Sequence, residues 1–133
     1  MEQVIFPAIS SLYVGLLAIM LVGLSVYVVK GRFKHQVGLA DGGNKDMLKR
    51  IRAHANFTEY VPMLVLMLVI MELNGFPAWM LHIYGLGILI TRLLHAYGLH
   101  ISSVASKPRF LGTAGTFFLL ITGAVLCIGA YIL

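Results

Sequence analysis

The chain has 133 residues, 59% of them hydrophobic and 11% charged, with a mean hydropathy of +0.91. A soluble domain carries roughly 25% charged residues, so this balance excludes one and points to an integral membrane protein. The net charge of +5 comes from basic residues beside apolar runs, where membrane topology and anionic head groups account for them and no nucleic-acid partner is expected.

No polar tract is long enough to fold separately, so residues 1–133 are expected to form a single membrane domain. A first span is expected over 5–29, which holds no charge and, at about 1.5 Å per residue, exceeds a hydrocarbon core of about 30 Å. The start MEQ has no basic region and the run is too long for a signal peptide, so it is expected in the mature protein. Pro7 suits a first helical turn. The connection 30–45 carries Lys30, Arg32, Lys34 and Lys45, with Gly42 and Gly43 at its centre and Asn44 or Asp46 as the cap of the next helix.

The second span is expected over 46–73. Its stretch RAHANFTEYVP places Arg52, Asn56 and Glu59 at i, i+4 and i+7, one polar stripe with Lys49 a turn before it. Each charge facing lipid at mid-bilayer costs roughly 2.5 to 3.5 kcal/mol on insertion scales, so the stripe must face protein, water or a ligand. Pro62 removes the hydrogen bond to the Thr58 carbonyl, and a kink is expected there. Glu72, Asn74, Gly75 and Pro77 read as a short loop.

The third span, 79–100, puts Arg92 and His95 on one face and Tyr97 and His100 on another. No two histidines stand at i, i+4, so no metal site is expected. A connection over 101–108 leads to the last span, 109–133, where Gly112, Thr116, Gly123, Cys127 and Ala130 form a small-residue packing seam and Cys127 a packed thiol. Nine of the ten basic residues lie in or beside the first and third connections, so both are expected on the cytoplasmic side and both termini opposite.

A cationic mouth with an amide and a carboxylate suits a small zwitterionic ligand with excess negative charge. Glutathione has that pattern, as do other amino-acid-like ligands. Two further readings stand beside it. Arg52, Asn56, Glu59, Arg92 and His95 can satisfy one another as a polar plug, and Glu59 can serve a small proton-coupled exporter.

RAHANFTEYVP, the basic turn KGRFK before it, RLLHAYG in the third span and PRFLGT at the fourth together resemble the MAPEG family, membrane-associated proteins in eicosanoid and glutathione metabolism. The resemblance covers essentially the whole chain. It implies an all-α integral membrane four-helix bundle assembled as a homotrimer, with glutathione as co-substrate between neighbouring subunits. By position, Arg52, Asn56, Glu59 and Tyr60 would hold glutathione from the second helix and Arg92 and His95 from the third. Arg109 would face the thiol, with Arg32, closing the first helix, as the second catalytic candidate. The implied function is a glutathione transferase or peroxidase acting on small apolar electrophiles that arrive through membrane lipid; the alternative is a binding or structural protein of the same fold. Leu99 and Thr113 stand where the eicosanoid branches have tyrosines, and Ala55 where some members have arginine, which places the chain nearer the bacterial branch and in the inner membrane.

Overall fold

A computed structural model describes residues 6–132 as four helices, α1 (Ala8–His35), α2 (Lys45–Leu73), α3 (Ala78–Ile101) and α4 (Lys107–Ile132), with no strand among the described residues. Ile5 and Leu133, the outer ends of the first and last expected spans, and the MEQ start lie outside the described residues. Each helix is long and apolar enough to cross a membrane, so the chain is an all-α, multi-pass membrane protein. Helices α2 and α3 touch each other and both outer helices, whereas α1 and α4 do not meet. The core sits around Leu64, Leu68 and Met71 of α2 and Leu81 and Ile88 of α3.

Helix α1 continues past Val29 through the basic turn to His35 and ends on Gln36 in the left-handed conformation (φ 52°, ψ 43°). Nη1 of Arg32 donates to the carbonyls of Val37 (3.3 Å) and Ala40 (3.2 Å), which folds the following residues back onto the helix end. The turn into α2 passes through Gly42 (φ 58°) and Gly43 (φ 74°), positions where a side chain would be strained. Asn44 is the cap of α2, its Oδ1 accepting from Met47 N at 3.0 Å, an arrangement worth about 1 kcal/mol. Asp46 instead accepts from His35 Nε2 (2.8 Å) and Arg50 Nε (3.0 Å). Arg50 also donates to the Tyr27 carbonyl at 2.9 Å and lies 4.1 Å over the Tyr27 ring, so one side chain ties α1 to α2.

Helix α2 runs unbroken through Pro62 to Leu73. Glu72, expected as a loop marker, belongs to its buried last turn and is 7% exposed. Its two carboxylate oxygens accept from Ile9 N (2.8 Å) and Ser10 N (2.7 Å). Pro7, at the N-cap position of α1, provides no side-chain cap, so an acid from a distant helix satisfies two orphan donors and complements the helix dipole. The Tyr13 hydroxyl, hydrogen-bonded to His82 Nδ1 at 2.9 Å, fastens α1 to α3 at the same end.

Helices α3 and α4 approach most closely. A Cβ on Gly112 would meet the backbone of His95 and Thr91, and one on Gly98 the backbone of Arg109. Of the expected seam, Gly112, Thr116 and Gly123 are buried and Cys127 and Ala130 half-buried. The small residues therefore let two backbones touch, as membrane helix pairs require where no water drives them together.

Candidate functional site

Arg92 is 2% exposed in the middle of the bundle. Its Nη1 donates to Asn56 Oδ1 of α2, and its Nη2 to Thr116 Oγ1 and, at 3.2 Å, to the Gly112 carbonyl of α4. The Tyr60 ring lies 5.5 Å from its guanidinium carbon and 6.0 Å from the Phe117 ring. Of the three guanidinium nitrogens of Arg92, Nε lacks a partner among the described residues. A cation at this depth persists because two neighbouring helices, α2 and α4, supply acceptors and an aromatic face together. His95, one turn further along α3, is 6% exposed and packs where Gly112 crosses.

Closer to the basic connections, Arg52 of α2 and Arg109 of α4 line one cleft of about 360 Å³, with Lys45, Leu48, Lys49, Leu99 and Ser103. That volume lies in the range of small-molecule sites, about 300 to 1,000 Å³. The lining has four cations, two leucines, a hydroxyl and no carboxylate. Glu59 stands beside it, its oxygens 3.4 and 3.5 Å from the two terminal nitrogens of Arg52, with both side chains about half exposed. A pair so open to its surroundings contributes at most about 1 kcal/mol in water, so it can exchange partners with an arriving ligand.

The expected polar stripe is therefore divided. Successive residues turn by about 100°, which sets Asn56 about 40° to one side of Arg52 and Glu59 about 20° to the other. That offset carries Asn56 inward to Arg92 and leaves Arg52 and Glu59 outward. Arg52 and Arg109 are brought together; Asn56, Tyr60 and Arg92 form the junction next to them; Arg32 stands apart, in the last turn of α1. Leu99 is buried and lines the cleft, Tyr97 is 56% exposed on another face, and Thr113 Oγ1 donates to the Arg109 carbonyl at 3.0 Å. Sequence spacing does not mark Lys45 or Ser103 as site residues. Both sit at the margins of connections, where no periodicity points to them.

The MAPEG family model matches residues 10–129, from the first turn of α1 to the last turn of α4. Two relatives named inner membrane protein YecN, one from Escherichia coli strain K12 and one from an O6:H1 strain, are each 40% identical to the chain over 92 residues, which is 69% of this chain and 70% of theirs. A family match of that extent, on four apolar helices carrying the Arg52, Asn56, Glu59 and Arg92 set, means that the chain belongs to the MAPEG family.

Proposed function

We propose that the protein binds glutathione in the cleft shared by Arg52 and Arg109 and uses its sulfur as a nucleophile against small apolar electrophiles or hydroperoxides from the bilayer. The observation that carries the reading is that α2 and α4 each supply an arginine to one cation-lined cleft with an acid at its edge. Glutathione has two carboxylates, an ammonium and a thiol. In this reading Arg52 and Lys49 hold the carboxylates, Glu59 takes the ammonium, and Arg109 faces the sulfur. Asn56, Tyr60, Arg92 and His95 form the wall behind it; the two terminal nitrogens of Arg92 already have acceptors, so its task is to fix α2 and α4 relative to one another.

A guanidinium beside a thiol favours the thiolate. The thiol proton leaves to water through the open cleft, and the thiolate then attacks the electrophilic carbon, forming a C–S bond as the leaving group departs with its electron pair. With a hydroperoxide the sulfur takes the distal oxygen, the O–O bond breaks to release an alcohol, and a second glutathione thiol reduces the sulfenic acid to a disulfide and water. Holding the peptide at the polar wall while the acceptor enters from lipid supplies proximity, and no general base on the protein is needed.

The assembly in this reading is a homotrimer in the inner membrane, the location named for the relatives. Helix α2 presents Arg52, Glu59, Leu66 and Leu73 outward along one line of its surface, and in this reading neighbouring copies cover that line. Charges within a span need such cover. The basic connections face the cytoplasm, and the cleft opens there, to the compartment rich in glutathione.

The test is ultraviolet difference absorbance of the thiolate at neutral pH on adding glutathione to purified protein, followed by turnover of a chloronitrobenzene acceptor. Thiolate absorbance and turnover are expected, with Arg109→Leu lowering turnover at least tenfold. Bound glutathione that stays a thiol in the unaltered protein would mark a binding protein without this chemistry.

A further inference from the structure

The α1–α2 connection carries a second cationic depression, separate from the Arg52–Arg109 cleft. It has a volume of about 500 Å³ and is lined by Arg32, Gln36, Val29, Phe33, Val37 and Gly38. Its depth in the bilayer follows from helix length. The 22 residues from Ala8 to Val29 carry no charge and rise about 33 Å, enough to cross a hydrocarbon core of about 30 Å. The last turns of α1, from Lys30 to His35, therefore emerge at the level of the lipid head groups.

Two features converge there. The first is an exposed apolar stripe: Ile19, Val22, Val26, Val29 and Phe33 follow one another at intervals of three and four residues, all open to the surroundings, with Phe33 81% exposed. The stripe runs down one face of α1 and ends in the depression. The second is charge. Arg32 uses only Nη1 on the Val37 and Ala40 carbonyls, leaving Nη2 and Nε with no protein acceptor among the described residues. Lys30 and Lys34, two positions before and after it, turn to the opposite side of the helix, so Arg32 is the one cation among the described residues that lines the depression. Of the nearby carboxylates, Asp46 is engaged with His35 and Arg50, and Asp41 Oδ1 accepts from the Gly43 N–H.

We infer that this depression is a specific site for an anionic phospholipid, with the phosphate on Arg32 and Gln36 and an acyl chain along the Ile19 to Phe33 stripe. Two free guanidinium donors and an amide match phosphate oxygens. A continuous apolar track leading from them into the hydrocarbon layer matches a chain attached to that phosphate, which a soluble anion or an acidic protein surface lacks. Arg32 then holds lipid and the loop together, and the site stands whether or not glutathione binds elsewhere.

The test is native mass spectrometry of the delipidated protein titrated with phosphatidylglycerol, with phosphatidylcholine of identical acyl chains, and with inorganic phosphate. Retention of phosphatidylglycerol at least tenfold above phosphatidylcholine, with inorganic phosphate failing to compete, is the expected result. Arg32→Gln should abolish the preference and Arg32→Lys should keep part of it, since an ammonium preserves the charge but not the paired guanidinium donors. Phe33→Ser should weaken both lipids alike. Equal retention of the two lipids, loss of preference in both Arg32→Gln and Arg32→Lys, or displacement by free phosphate would each overturn the assignment.

Discussion

Arg92 shows how one side chain organises three helices. Its acceptors come from α2 (Asn56) and α4 (Gly112 and Thr116), so removing one of them strands part of a charge that water cannot reach. A neutral interhelical hydrogen bond in a membrane protein averages about 0.6 kcal/mol, whereas hydrogen bonds to charged groups are worth about 1.5 to 3 kcal/mol. Asn56→Leu is therefore expected to lower stability by about 2 kcal/mol, read from the midpoint of detergent-induced unfolding. Adding Arg92→Met should recover most of that loss, because an apolar side chain of similar length no longer needs the acceptor. Additive losses in the double variant would contradict the coupling. The polar identity of these residues is legible in sequence, since ionic groups in a span need a reason. Their partition between an inward junction and an outward pair is not, because it turns on about 40° of helix rotation that only packing fixes. The burial of Glu72 is hidden for a related reason: an acid beside Asn74, Gly75 and Pro77 has the composition of a loop, and its partners lie more than sixty residues away.

At the scale of elements, the α3–α4 pairing rests on glycine where the two backbones cross. Gly112→Val would drive its side chain into the backbone of His95 and Thr91, and overpacking of that kind costs about 1 to 3 kcal/mol. It should also pull Arg109 away from Arg52, because both the seam and the cleft depend on the seating of α4. Gly129→Ala, in the same helix with nothing near its Cβ, is expected to be neutral or stabilising by up to about 1 kcal/mol. Comparing the two unfolding midpoints checks this, and similar losses would show that glycine acts through helix propensity rather than close approach. The four helices and the seam are legible in sequence because hydrophobic run length and small-residue spacing are local signals. Helix ends are less so. The last turns of α1 and the first of α4 are basic and read as loop, although the chain remains helical to His35 and resumes at Lys107.

For the molecule as a whole, an ion pair half exposed on a membrane-crossing helix calls for cover, and in the proposed trimer the neighbouring copies supply it. Density-matched sedimentation in detergent should return the mass of three chains of 14.6 kDa each; a single chain would remove the assembly from the account. The cleft draws on the starts of α2 and α4 and on the connection between α3 and α4, so no contiguous stretch of sequence displays it. In the proposed reading Arg109 faces the thiol, and the bundle supplies what spacing cannot, namely that α4 delivers this residue to the cleft that Arg52 lines. The measurement that bears most directly on the central claim is a calorimetric titration of glutathione into the purified protein and into Arg52→Ala. Saturable binding of glutathione, weakened at least tenfold in Arg52→Ala, is predicted; absence of saturable binding, or equal affinity in both proteins, would contradict it.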